Sequence, residues 1–523
     1  MIDRINFMQK SKKDLKLLFV NPCLRPGKNG FTKLLPVGLG SVMTYFHENG
    51  YKFTLLDIDI NEYDDVYVEN YVKNNHFDFI LLGSIVTHYK WVKWFVNTAK
   101  KCQPDSKIIV GNSVAGSIPD VFLQNSKADV VVIGEGEITA VETVEAIRLG
   151  KNLKDVEGIA FRDLEGNIVK NSPRKVGDIN DFSMINWDFF EVEGYINQKI
   201  KVSSVTYFDS KDEKVVRSMP IISARGCAFR CTFCHFVFWD DPYRNRSPKS
   251  ILAEIKYLIE KYNANHIDFF DDLTFASATQ VEKLCDAIIE SGLKFKWTAS
   301  VRVDIFSRAR LSYDDSIRVA KKMRETGCIA SGFALESGNQ EILEMMNKKI
   351  EVDAFYTTVN VMREAGIQVP ISVVFGYPIE TKETIRQTFD QCLKAGIYPS
   401  IGFLLPLPYT VMYDYAKANG FITDEDRYLD SITERQDICL NMTKMSDKEI
   451  MNEIKIGAAK LNKMLELGLT EDTYIRTKGY KTSKKFFKKR KHLLDPEDVK
   501  TIENDVSFNY SQTEFKFEDQ QKC

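Results

Sequence analysis

Ile221-Ile222-Ser223-Ala224-Arg225-Gly226-Cys227-Ala228-Phe229-Arg230-Cys231-Thr232-Phe233-Cys234 is an apolar strand, read over 221–224, that runs into three cysteines within eight residues. Three thiolates this close, just past a strand end, can wrap one face of a metal centre. Thiolates suit zinc or an iron–sulfur cluster. Four ligands close a structural site, whereas three leave one iron with an open position that a chelating substrate can fill. A zinc site would recruit His235 as the fourth ligand. Cys234 and His235 are adjacent, however, which makes shared tetrahedral coordination awkward. Zinc sites also usually carry a second ligand pair at a distance, and none is visible here.

Outward from the cysteines, apolar runs alternate with amphipathic stretches. Downstream strands are predicted at 266–270, 295–300, 330–335, 370–375 and 400–404. Helices fall at 248–261, 279–290, 313–326, 352–365 and 381–394. Six strand–helix units predict an open, partial (β/α)6 barrel, not the closed eightfold one. Upstream strands are predicted at 15–21, 53–58, 77–83, 107–111 and 129–134, with helices at 38–49, 89–101, 118–124 and 138–149. Continuous apolar strands joined by helices mean a doubly wound, Rossmann-like parallel sheet. Such sheets bind ligands outside the carboxyl ends of their strands. The fold class is therefore α/β. It divides into a Rossmann-like domain over 1–150, a linker with a hairpin over 151–218, a second β/α domain over 219–423, and a helical region with a polar tail over 424–523. The hairpin is read at 158–161 and 167–170, followed by an aromatic connector through Trp187, Phe189, Phe190 and Tyr195. No repeat of fixed period is present.

The bulk numbers restrict the class. The chain has 523 residues, 44% of them hydrophobic, and 71 basic against 73 acidic side chains. That balance argues against a field that draws the whole protein to nucleic acid or a membrane. Ten cysteines in a chain of this length are not a secreted disulfide scaffold. Seven are scattered, at 23, 102, 285, 328, 392, 439 and 523, and read mostly as small buried hydrophobes. The apolar stretch 17–20 is too short for a signal peptide, and no run is long enough to span a bilayer. A reducing cytoplasm is the expected location. The basic stretch 484–491, with Phe486 and Phe487 inside it, reads as a solvated tail before it reads as a docking site for an acidic electron donor, nucleic acid or membrane.

The spacing of Cys227, Cys231 and Cys234, with Phe233 before the last, resembles the radical S-adenosylmethionine (SAM) superfamily over roughly residues 221–410. The resemblance implies one 4Fe–4S cluster on these three cysteines, chelated at its open iron by SAM. Electron transfer to the sulfonium would then release a 5′-deoxyadenosyl radical that abstracts hydrogen. Further matches sit at successive strand ends. Phe269-Phe270-Asp271-Asp272 falls where the family contacts the methionyl amino group. Ser300 and Arg302 fall where ribose and carboxylate contacts occur. Glu336 lies in Gly332-Phe333-Ala334-Leu335-Glu336-Ser337-Gly338. Val374 opens Val374-Phe375-Gly376-Tyr377-Pro378-Ile379-Glu380-Thr381, which resembles the adenine-side segment but carries Ile379 where relatives often have glycine. Each match has a plain structural alternative: Asp271 and Asp272 as a loop pair or helix cap, Glu336 as a hydrogen-bonded strand-end carboxylate.

The first domain resembles the cobalamin-binding domain that precedes the radical core in one large subfamily. The matching segments are Pro36-Val37-Gly38-Leu39-Gly40, Ile109-Val110-Gly111-Asn112-Ser113 and Val132-Ile133-Gly134-Glu135-Gly136-Glu137. Gly111 and Gly134 end strands, where a missing side chain lets a large flat ligand approach. The resemblance implies cofactor contacts from Ser84, Thr87, Gly111, Asn112, Gly134 and Glu135. The cobalamin fingerprint D-x-H-x-x-G is missing: its nearest stretch is Asp57-Ile58-Asp59-Ile60-Asn61-Glu62, which places Asp59 where the histidine is expected. Cobalamin would then bind without a histidine lower ligand, and His88 reads as a loop residue. The alternative is a Rossmann-like domain with no ligand.

Together these features imply a cobalamin-dependent radical SAM methyltransferase acting on an unactivated carbon of a metabolite or natural-product intermediate. A radical cyclase, rearranging enzyme or oxidase would use the same domains. A methylthiotransferase would need a second three-cysteine cluster upstream, where only Cys23 and Cys102 lie. A non-catalytic corrinoid carrier would need no open iron. The implied partners are a small-molecule or peptide substrate and an electron donor such as flavodoxin or ferredoxin. Pro406, Pro408, Tyr409 and Tyr413 are read as bordering the substrate pocket.

Overall fold

Leu17–Asn21 is apolar throughout its first four residues and wholly buried, as a strand covered on both faces by helices must be. In the computed structural model, which describes residues 10–23, 33–196, 216–235, 241–432 and 435–475, this strand (β1) lies inside a seven-stranded sheet. Its other members are β2 (Phe53–Asp57), β3 (Phe79–Gly83), β4 (Lys107–Gly111), β5 (Val130–Val132), β6 (Ile159–Arg162) and β7 (Ile168–Lys170). The spatial order is β2-β1-β3-β4-β5-β6-β7, parallel through β5. The order reverses between β1 and β3, which is the crevice where doubly wound sheets take their ligands.

The 151–218 segment departs from the linker expected of it. Its hairpin, β6 and β7, pairs antiparallel onto β5 and extends the first sheet. The reason is the three-residue β5, whose open edge the hairpin covers. The connector beyond it packs on the helix Val37–Glu48. Gly40 is required there, because a Cβ would lie 2.8 Å from Ile185 and 3.3 Å from Trp187.

The second sheet holds β8 (Ser218–Ile221), β11 (His266–Phe269), β12 (Lys296–Ser300), β13 (Cys328–Glu336), β14 (Ile371–Phe375) and β15 (Ser400–Phe403). Their order is β15-β14-β13-β12-β11-β8, all parallel, and the array stays open as a partial barrel. The first strand is displaced from the expected 221–224. It ends at Ile221, and the amides of Ser223 and Ala224 donate to the Asp271 carboxylate instead of a ladder. Ala224-Arg225 (β9) then pairs antiparallel with Arg244-Asn245 (β10). Helices Pro248–Tyr262, Ala278–Ser291, Tyr313–Glu325 and Lys382–Lys394 are each started by a Ser or Thr side chain that accepts a first-turn amide. Each such cap contributes about 1 kcal/mol.

The C-terminal helices join both halves. Asp447–Met464 lies flat on Lys382–Lys394, with Gly457 against the Phe389 ring and Arg386 paired to Glu453 at 3.0 Å. Glu425–Ser431 returns to the first domain: Asp426 accepts from Tyr89 Oη at 2.6 Å and Lys93 Nζ at 2.8 Å, and Asp430 takes Lys93 at 2.9 Å. Among the described residues no helix is long and apolar enough to cross a membrane. The basic stretch 484–491 lies outside the described residues.

Candidate active site

The cysteine loop leaves β9 through Gly226, whose φ of +74° and whose position, with a Cβ 3.2 Å from the Pro242 carbonyl, allow only glycine. The loop is held from several sides. Thr232 N donates to Met346 O at 2.9 Å, Asn347 Nδ2 to Arg230 O at 2.6 Å, and Met412 N to Thr232 O at 3.0 Å. His235 Nδ1 donates to the Pro408 carbonyl at 2.6 Å. Phe229 is covered by the Arg302 guanidinium at 3.6 Å and by Arg308 at 4.8 Å.

All three thiols are free. Burial pushes each of them up, and the neighbouring thiols add to this at Cys231 and Cys234. A bound metal centre would invert that preference, since a coordinating thiol is deprotonated outright. Among the described residues, no three His, Cys, Asp or Glu side chains are gathered as one ion requires. Three thiolates in mutual electrostatic reach on one short loop fit an iron–sulfur centre, which takes each thiolate on a separate iron.

Beside the loop, a cavity of about 380 Å³ opens at the strand ends, lined among others by Asp268, Phe270, Asp271, Asp272, Ser300 and Gly332. The two adjacent aspartates have separate tasks. Asp271 accepts from Ser223 N at 2.8 Å, Ser223 Oγ at 2.6 Å and Ala224 N at 3.0 Å, and burial raises its carboxyl to about 6. It anchors the segment leading to Cys227. Asp272 keeps an exposed edge at the concave mouth and has no hydrogen-bond partner among the described residues. Its carboxylate is free to accept an ammonium group. Ser300 is exposed at the end of β12, next to Gly332.

Arg302 is not placed for the ligand contact expected of it. It is buried under the loop, bonded to Asp304 at 3.0 Å and to the Lys348 carbonyl at 2.6 Å, with its face on Phe229. Glu336 is also taken up internally. Its φ is +65°, next to a register shift between β13 and β14, and its carboxylate meets Lys348 Nζ at 2.8 Å. Val374 is buried on β14, and the turn after it passes through Gly376 at φ +100°. Sequence reasoning missed Lys348 and Glu380. Lys348 is a buried ammonium within electrostatic reach of Cys231. Its one signal is the polar run Asn347-Lys348-Lys349 after the short helix Gln340–Met345. Glu380 is buried, accepts from Gly376 N at 3.2 Å and from Thr384, and is raised to about 7 by burial.

In the first domain, Ser84, Thr87, Gly111, Asn112 and Gly134 gather at the carboxyl ends of β3, β4 and β5. Ser84 Oγ lies 2.8 Å from His88 Nδ1. Asn112 adopts φ +61° and caps the following turn, accepting from Ser113 N at 2.6 Å. A Cβ on Gly134 would meet nothing within 4 Å. Leu34, shortly before the helix Val37–Glu48, and Ile85, shortly after β3, carry exposed apolar side chains. An open glycine edge beside exposed apolar groups is a cradle that fits a flat ring such as a corrin. Asp57 is not part of it. It is buried, accepts from Asn21 at 2.8 Å and Tyr195 at 2.9 Å, and starts the turn Ile58–Asn61 that carries Asp59.

Glu135, expected among the cofactor contacts, points the other way. Its carboxylate pairs with Arg225 at 3.0 Å and Arg244 at 2.6 Å, both in the second domain. Glu137 pairs with Arg225 at 2.6 Å and accepts from Ser41 Oγ at 2.6 Å. The two carboxylates cross the domain boundary because two arginines face each other in the β9–β10 ladder and need opposite charge.

The family model described as the radical SAM superfamily matches residues 221–392, and that of the B12 binding domain matches residues 31–144. The chain is 26% identical over 329 residues to an uncharacterized methyltransferase of Pyrococcus horikoshii, covering 62% of this chain and 66% of that protein. It is 23% identical over 387 residues to the anaerobic magnesium-protoporphyrin IX monomethyl ester cyclase of Rubrivivax gelatinosus, covering 72% of this chain and 65% of that one. In both cases the match spans slightly less than two thirds of the relative's length. The fold is similar to the radical SAM methyltransferase TsrM of Kitasatospora setae, with a TM-score of 0.60 at 15% identity over 78% of this chain and 77% of that one. A radical SAM domain implies a 4Fe–4S cluster and SAM, and a B12 binding domain implies cobalamin. With three free thiols beside a cavity in one half and a glycine-edged cradle in the other, the chain carries a radical SAM domain over 221–392, preceded by a B12-binding domain over 31–144.

Proposed function

We propose that this protein is a cobalamin-dependent radical SAM methyltransferase that methylates an unactivated carbon of a small molecule or peptide. The supporting observation is the direct joining of the two sites: the loop that follows Gly134 is ion-paired to the arginine two residues before Cys227. When bound, the cluster with SAM supplies a hydrogen-abstracting radical and the corrinoid supplies a methyl group. The chain's own part is to bind, orient and exclude water. Cys227, Cys231 and Cys234 would hold the cluster; Arg302 on Phe229 and Lys348 over Phe233 brace the loop they stand on, and Asp271 anchors its approach at Ser223. Asp272 and Ser300 offer an acceptor and a hydroxyl to SAM at the cavity mouth. Gly111, Gly134, Leu34 and Ile85 would face the corrin.

One electron would come from a flavodoxin or ferredoxin, which places the protein in a reducing cytoplasm. The similarity to a cyclase favours one second reading, a ring-forming oxidation on the same domains. Reduced, reconstituted protein supplied with SAM bearing a deuterated methyl group separates the two. Transfer of the label into an extracted small molecule is the expected result. Formation of 5′-deoxyadenosine with no label outside SAM and cobalamin would favour the cyclase.

A further inference from the structure

Arg225 and Arg244 stand opposite each other in the β9–β10 ladder, a repulsive pair in isolation. Each keeps only 13% of its side chain exposed, and Arg225 also lies 4.5 Å from the centre of the Phe182 ring of the connector. Their charge is answered by residues of the other domain. Glu135 takes both arginines, and Glu137 takes Arg225 from the first turn of the helix Gly136–Arg148. Glu137 is held in turn by Ser41, in the first turns of the helix Val37–Glu48. Each end of the knot therefore touches a site. Gly134 precedes Glu135 directly, and Arg225 is separated from Cys227 by Gly226 alone, which is fixed against Pro242.

We infer that Glu135, Glu137, Arg225 and Arg244 are positioning residues that couple the two sites, so that filling the cysteine loop organises the corrinoid cradle and the reverse. The physical reason is that neither half of the knot is stable alone. Without the glutamates two largely desolvated guanidinium groups face each other, and without the arginines two largely desolvated carboxylates lose their partners, which is strongly unfavourable where water is kept out. A loop wrapped on its cluster holds Arg225 in place. A held Arg225 fixes Glu135 and Glu137, and with them the backbone at Gly134. The inference rests on the proposed reading that the first domain takes cobalamin and the loop takes the cluster. Coupling of this kind is reciprocal and typically amounts to about 5- to 150-fold in affinity.

The test is an anaerobic titration of full-length protein with hydroxocobalamin, followed by absorbance, with and without prior reconstitution of the cluster. Wild-type protein is expected to bind cobalamin at least about 5-fold more tightly when the cluster is present. In Glu137→Gln and in Glu135→Gln that ratio is expected to fall towards 1. Arg225→Lys, which keeps charge but not the fork, should retain part of it. Lys93→Ala breaks a different contact between the domains and should keep the full ratio, separating coupling from mere docking. Equal affinity with and without the cluster in wild-type protein overturns the inference, and needs no variant to fold. A full ratio in Glu137→Gln overturns it as well. Wild-type protein that binds no cobalamin under either condition would instead remove the corrinoid reading on which the inference stands.

Discussion

Asp271 and Asp272 are neighbours of one kind whose surroundings assign them different work. The Asp271 carboxylate is saturated by two amides and a hydroxyl that belong to the strand exit before Cys227. The Asp272 carboxylate faces the cavity with no partner among the described residues. Asp271→Ala leaves the Ser223 and Ala224 amides unsatisfied, at a cost of about 1–3 kcal/mol each where water is kept out. It should therefore lower the iron content of reconstituted protein. Asp272→Ala should leave iron content near that of wild type and weaken SAM binding by roughly 10-fold, the value of one charged hydrogen bond. Iron assay and equilibrium dialysis with labelled SAM check the pair. Equal loss of iron in both variants would show that the division between them is wrong. The sequence showed two aspartates at a strand end; it did not show which way each side chain turns, because that depends on the one-residue register of β11.

At the scale of elements, strands and thiols were legible and edges were not. The apolar runs of β1, β3 and β4 and the cysteine spacing are local patterns, and both sheets follow from them. The β6–β7 hairpin was placed correctly in the chain but not in space. Whether a hairpin joins a sheet depends on the length of a distant edge, here the three residues of β5. Lys348 was invisible for a similar reason: a lysine reads as solvated until its partner Glu336 is found in the core. The turn after β14 carries a pH-dependent element of this kind. Glu380 is raised from 4.5 to about 7 by burial, so the native state holds its proton more tightly than the unfolded chain does. The unfolded chain then binds fewer protons between pH 4.5 and about 7, and stability falls as pH rises through that window. Glu380→Gln removes the titrating group and should flatten that slope, gaining about 1–3 kcal/mol relative to wild type at pH 8 over pH 5. Urea midpoints of the two proteins at both pH values measure it, and parallel slopes would show that Glu380 is ionised in the fold.

Two of the charged contacts that join the two sheets differ in their chemistry. One is the buried knot of Glu135 and Glu137 with Arg225 and Arg244, adjacent to both candidate cofactor sites. The other is a half-exposed clasp, in which Tyr89 and Lys93 of the first domain meet Asp426 and Asp430 of the helix Glu425–Ser431. Neither was foreseen. Contacts between domains carry no local periodicity, and Glu135 sits in a motif whose glycines suggested a ligand. The clasp is partly open to solvent, so each ion pair is worth no more than about 1 kcal/mol. It shares no residue with either site, so its role is to dock the C-terminal helix on the first domain. Asp426→Asn with Asp430→Asn should therefore leave the iron and corrinoid content of reconstituted protein unchanged while loosening the two halves. The loosening is read by scanning calorimetry. Halves that unfold together in wild-type protein lose part of their shared interface in the variant, and the transition should broaden or divide, more so at low salt, where wild-type pairing is strongest. A single transition of unchanged width at both salt concentrations would place all of the cohesion between the halves in the arginine–glutamate knot and the connector.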